Sequence, residues 1–156
     1  MTSRFLPNFH FDKGLHLLIA AFLFFSLHGA VSFAGDTRLL SIESGASRHD
    51  FMVEIMRSPQ ERAMGLMHRR TLDVQHGMLF DFGGAMIARM WMKNTHIPLD
   101  MLFIREDGVI ANIISDTVPQ STAVLSSEGD VRYVLEINAG LSKRLGIKAG
   151  DNIVLP

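Results

Sequence analysis

The sequence predicts a mostly β domain, a compact antiparallel sandwich or barrel with one or two short peripheral helices. Three observations carry this reading. Apolar residues recur with a period of two, as where Phe51, Val53 and Ile55 alternate with Met52, Glu54 and Met56, the signature of a half-buried strand. Asp107-Gly108 separates two apolar runs, Leu99–Ile104 and Val109–Ile114, which is a strong short-range hairpin signal. No helix–strand alternation is long enough for a doubly wound parallel sheet, which leaves the antiparallel architectures.

Leu39–Ile42 and Phe51–Met56 read as strands joined by the turn Ser44-Gly45-Ala46-Ser47. Ser58-Pro59-Gln60-Glu61 opens a helix. The Ser58 hydroxyl can cap the Glu61 amide, Glu61 can reach back, and Pro59 loses nothing at the first helical position. This helix is expected over about residues 59–68, with Gly65 inside it, where a close neighbour would justify the missing side chain. Gly77–Phe82 reads as a strand, and so does Ala88–Lys93, with Met90 and Met92 on one face and Arg89, Trp91 and Lys93 on the other. Asn94–Pro98 is a loop. The hairpin around Asp107-Gly108 is apolar on both faces, which predicts a central position. Val131–Ile137 alternates as a strand, Leu141–Leu145 is a helical turn, and Ala149-Gly150-Asp151 turns into a last strand, Asn152–Leu155.

The chain has 156 residues, 47% apolar and 20% charged, with a net charge of −1 and no cysteine. That composition is globular. It offers no basic footprint for nucleic acid, and disulfides, thiol catalysis and cysteine metal sites are excluded. Residues 1–34 read as a secretory signal: Arg4 and Lys13 precede the apolar run Leu15–Leu27, and Ser32-Phe33-Ala34 supplies small residues for cleavage. The run is short for a membrane span of about 20 residues, so an exported domain of residues 35–156, periplasmic or secreted, with no membrane span after cleavage, is expected. Its intact mass should correspond to a start at Gly35; a chain that keeps Leu15–Leu27 and fractionates with membrane overturns this.

Four stretches together carry a family resemblance: Glu61–Met67 (ERAMGLM), Gly77–Phe80 (GMLF), Trp91–Met101 (WMKNTHIPLDM), and Tyr133–Glu136 (YVLE) with Ala139-Gly140, Gly146-Ile147 and Gly150-Asp151. In this order and spacing the chain resembles the exported bacterial and archaeal family known as domain of unknown function 192, over about residues 50–155. The resemblance implies a compact β fold and an envelope location. It brings no established activity.

Asp100 and Glu136 lie in or beside apolar strands, where a carboxylate costs several kcal/mol unless partnered. Lys93, Asn94 and Arg132 are candidate partners. The pair could form a ligand pocket, a hydrolytic acid–base couple or a structural network. Nucleophile-elbow, Walker and dinucleotide motifs are absent. Trp91, the single tryptophan, shares its expected face with Lys93 and reads as a rim residue able to stack a planar ligand.

Seven of the ten methionines fall between Met64 and Met101, near His68, His76 and His96. Thioethers select Cu(I), which makes a soft-metal protein an alternative. Methionine is more often adaptable core filler, so no cofactor or bound metal is expected. The reading is therefore an exported binding domain for a small molecule or envelope component, with Trp91, Lys93, Asn94, Thr95, Asp100 and Glu136 as candidate ligand-binding residues. Copper binding and a carboxylate-dependent hydrolase are the alternatives.

Overall fold

The computed structural model describes residues 36–155; the signal-peptide reading of residues 1–34 lies outside them. Strand β1 (Asp36–Ser44) pairs antiparallel with β2 (Ser47–Met56) through the expected turn. Helix α1 (Pro59–Met64) carries the complete capping box, with Ser58 accepting from the Glu61 amide and Glu61 accepting from the Ser58 amide. It is shorter than its sequence suggests. Gly65 ends it at φ +47°, and a Cβ there would stand 3.1 Å from the Phe80 ring. The close neighbour is thus real, but Gly65 is a terminator and not an interior residue.

Next come β3 (His76–Met86), β4 (Arg89–Met90), β5 (Leu99–Ile104), β6 (Ile110–Ile114), β7 (Leu125–Ser126), β8 (Val131–Asn138), α2 (Leu141–Leu145) and β9 (Asn152–Val154). Seven strands form one sheet in the order β6-β5-β8-β3-β2-β1-β9, while β4 and β7 pair separately. All pairs are antiparallel except β2–β3, which runs parallel. A parallel pair needs a crossover, and the segment carrying α1 supplies it.

The sheet curls until its two edge strands meet. The Ile110 N–H donates to the Asp151 carbonyl at 2.9 Å and the Ile153 N–H to the Gly108 carbonyl at 2.8 Å. Gly108 is obligatory at this seam: its φ is +87°, and a Cβ would lie 2.7 Å from the Ile153 carbonyl oxygen. The hairpin is therefore not central as expected, since β6 is an edge closed against β9.

Each sheet face has its own core, which explains why β5 is buried at every position. The enclosed face gathers residues from all seven strands, including Leu40, Val53, Leu79, Leu102, Leu135 and Ile153, with Leu141 of α2. The other face packs Met78, Phe80, Met101, Phe103 and Val134 against Leu66, Met92 and Ile97 from the connections. Among the described residues no helix is long and apolar enough to cross a membrane.

Candidate functional site

Strand parity separates the two carboxylates that the sequence grouped together. Asp100 pairs with Ile137, and Glu136 pairs with Met101 on one side and Met78 on the other. Ile137 belongs to the enclosed core, Met78 and Met101 to the outer one. Since successive side chains alternate faces, Asp100 and Glu136 project to opposite sides of the sheet. They cannot converge on one bond as an acid–base couple.

Asp100 is fully buried and saturated. One carboxylate oxygen accepts from the amides of Asp116 and Gly140, each at 3.0 Å. The other accepts from the Ser142 amide at 2.9 Å and the Ser142 hydroxyl at 2.6 Å. Gly140 at the start of α2 offers no side-chain cap, so Asp100 caps that helix from a distant strand. None of the partners is Lys93, Asn94 or Arg132. Arg132 instead bonds Asp81 at 3.1 Å and Glu106 at 2.9 Å.

Glu136 is the opposite case. It is only 4% exposed, and among the described residues no hydrogen bond or ion pair reaches its carboxyl. Burial alone pushes its pKa up to about 8, because a lone ionised carboxylate is disfavoured away from water. Gly77 lets β3 run this close to β8: a Cβ there would stand 2.8 Å from the Glu136 carbonyl oxygen.

Glu136 forms part of the wall of a narrow pocket of about 30 Å³, together with Met64, Met67, Phe80, Met90, Trp91 and Thr95. That is room for roughly one or two water-sized groups. Arg62 also lines it, but its guanidinium donates to the carbonyls of Arg57 and Asp81 and stacks 5.3 Å from the Phe82 ring centroid.

The segment carrying Trp91 to Thr95 forms the other wall. The expected strand Ala88–Lys93 survives only as Arg89–Met90, paired with Leu125–Ser126. Beyond it the chain is pinned by bonds between Met92 N–H and the Ser121 carbonyl and between Thr95 N–H and the Met92 carbonyl, both 3.0 Å. Trp91 is 48% exposed, a rim residue as expected, with the Lys93 ammonium 5.2 Å from its ring centroid. Asn94 adopts φ +57°. Its carbonyl accepts from His68 N–H at 2.9 Å, and its amide contacts the Met67 sulfur at 3.9 Å. These bonds tie the two walls together. Thr95 is buried, and its hydroxyl donates to the Lys93 carbonyl at 3.3 Å.

Trp91, Thr95 and Glu136 thus line one opening; Lys93 and Asn94 only contact its wall, through Trp91 and Met67, and Asp100 is on the other face. Sequence reasoning missed Met64, Met67 and Phe80 as wall residues. The GLM and GMLF stretches that carry the resemblance contain Met67 and Phe80, but only the parallel β2–β3 pairing brings them together. Met92, grouped with Met90 in the copper alternative, is core, its sulfur 3.3 Å from the Thr117 hydroxyl. His68, His76 and His96 are exposed. Among the described residues no three His, Asp or Glu side chains cluster as a metal site.

A second, larger concavity of about 370 Å³ lies beside His49, Phe51, Val74, Leu141 and Leu145. It contains none of the candidate residues. His49 Nε2 is buried there without a partner among the described residues.

Two solved structures share this fold and much of the sequence. A Sinorhizobium meliloti 1021 protein described as a proposed transcription regulator is 46% identical, with a TM-score of 0.74 over 76% of this chain and 92% of its own. A protein of unknown function from Novosphingobium aromaticivorans DSM 12444 is 39% identical, with a TM-score of 0.75 over 76% of this chain and 85% of its own. No curated protein matches the sequence. The family model DUF192, described as an uncharacterised ACR, matches residues 40–155. With its fold and three-quarters of its length accounted for by that match, the chain belongs to the DUF192 family.

Proposed function

We propose that this protein is an exported binding domain that takes a small ligand, or the tip of an envelope component, into the pocket between α1 and the Trp91–Thr95 segment. One observation carries the reading: the Glu136 side chain is almost wholly buried in the wall of an opening, and its carboxyl has no partner among the described residues. Folded proteins satisfy buried polar groups almost everywhere. A side chain left short at a pocket is explained by a ligand that completes it. Export follows from the leader reading of residues 1–34. A hydrolytic reading lacks support, since Asp100 faces away and is fully occupied by α2. The name given to the Sinorhizobium relative finds little support here either: α1 and α2 have six and five residues, too short for a recognition helix.

The chain has a single tryptophan, at the pocket rim, so its emission reports this site alone. A panel of small polar molecules, including envelope sugars and amines, is titrated against that emission and against thermal stability. At least one is expected to saturate both signals, and Glu136→Gln to weaken it tenfold or more. A panel that, extended to single metal ions, leaves both signals unchanged, or a ligand indifferent to Glu136→Gln, overturns the proposal.

A further inference from the structure

We infer that the Glu136 pocket takes one soft monovalent metal ion, of the Cu(I) or Ag(I) class, with the Met67 and Met90 thioethers and the Glu136 carboxylate as donors. This rests on the pocket reading above and names its ligand class. It reverses the expectation from the sequence that the methionines serve only as core filler.

The first argument is placement. Glu136 is paired across the sheet with Met78 on β3 and Met101 on β5, and directly opposed residues stand about 5 Å apart. Met64, Met67 and Met90 line the same pocket. Five of the seven methionines between Met64 and Met101 therefore surround one unpartnered carboxyl, although they come from α1, β3, β4, β5 and the segment after α1. Core filling does not require that arrangement. The enclosed core has none of them, being built from Leu, Ile, Val and Phe.

The second argument is ligand chemistry. An organic ammonium presents three donors. The pocket offers it one carboxyl and sulfur acceptors, which are weak, and Thr95 already spends its hydroxyl proton on the Lys93 carbonyl. Thioethers are soft ligands suited to Cu(I) and poor ones for hard cations. A volume of about 30 Å³ holds an ion and excludes a sugar ring.

The third argument is charge. Among the described residues Arg62 is the only other ionic side chain in the lining, with the Lys93 ammonium beyond it over Trp91. Arg62 is held on the Arg57 and Asp81 carbonyls and over Phe82. As a monovalent ion enters, the carboxyl proton leaves to water, and ion and carboxylate sum to zero. A divalent ion would leave a positive charge buried beside Arg62.

The test is a Cu(I) titration of the full chain under reducing conditions, in competition with a chromophoric chelator, with Trp91 emission recorded in parallel. One equivalent is expected to bind and quench Trp91. Met67→Leu with Met90→Leu should lower affinity at least a hundredfold, and Glu136→Gln at least tenfold. Met52→Leu with Met86→Leu, both exposed positions, should leave it unchanged. Far-ultraviolet circular dichroism verifies that each variant is folded. Absence of a complex, or a complex equally tight in the Met67/Met90 variant, overturns the metal assignment. An organic ligand that quenches Trp91 where Cu(I) does not also overturns it, while leaving the pocket reading standing. If neither acts at Trp91, both fall.

Discussion

In metal-free buffer the protein is expected to lose stability as pH rises from about 4.5 to about 8, and Glu136→Gln to abolish that loss. The folded protein holds the Glu136 proton up to about pH 8, whereas the ordinary value for the side chain is 4.5. Below the lower value both states are protonated and the group costs nothing. Above it the unfolded chain ionises freely while the folded one resists, so the folded state loses ground until pH passes 8 and then levels off. A difference of this size is on the order of 5 kcal/mol at the alkaline end. Glutamine keeps the shape and cannot ionise. The variant should match the wild type near pH 4.5 and exceed it at pH 9, in urea midpoints measured at both. This sign is opposite to the one the sequence suggests, where removing a buried carboxylate strands its partner. Among the described residues Glu136 has no partner to strand. A wild type no less stable than the variant at pH 9 would show that the carboxyl is satisfied by a group other than the wall residues described above.

Much of the fold was legible because its signals are local. Ser58 and Glu61 are three residues apart and cap one another whatever surrounds them. Gly108 faces a turn that only a positive φ can make. Phe51, Val53 and Ile55 are buried as their alternation predicts, while Met56 is buried too, in the core of the other face. The failures have one physical source, which is partners distant in sequence. Ala88–Lys93 alternates like a strand, yet only Arg89–Met90 finds a strand partner, while Ala88 bonds to Ser127 and Met92 to the 117–121 turn. The Leu99–Ile104 run is apolar on both faces because the sheet has two cores, which looks the same in sequence as a central hairpin.

The candidate site shows the same division. Parity within one strand assigns Asp100 to the side of Leu102, and Glu136 to the side of Val134. Which of those sides coincide depends on the β5–β8 register, and a one-residue slip would exchange them. The sequence therefore exposes two buried carboxylates and leaves their relation open. It could not show that one is saturated and the other bare, because every donor to Asp100 comes from residues 116–142, on other turns and elements.

Asp100→Asn is expected to destabilise the protein by about 3–5 kcal/mol, the largest loss from a single isosteric change. Each carboxylate oxygen of Asp100 accepts two hydrogen bonds, and all four donors converge from the 116 turn and the start of α2. Hydrogen bonds to a charged acceptor are worth about 1.5–3 kcal/mol each. An asparagine supplies one oxygen and puts an NH₂ where the other stood. With the NH₂ toward the 116 turn, the Asp116 and Gly140 amides would both face it, fully buried; with the NH₂ toward α2, the Ser142 hydroxyl can turn to accept from it and the Ser142 amide is left facing a donor. Ser142→Ala removes a single donor to a charged acceptor and should cost about 1.5–3 kcal/mol. In the Asp100→Asn background it should cost less, since the charged acceptor is then gone. Asp107→Asn is the control, an exposed hairpin carboxylate paired with Arg105, and its midpoint should barely move. Urea melts of the four variants and the wild type at one pH make the comparison. If Asp100→Asn melts with Asp107→Asn, the anchoring of α2 and the 116 turn to β5 does not rest on this carboxylate.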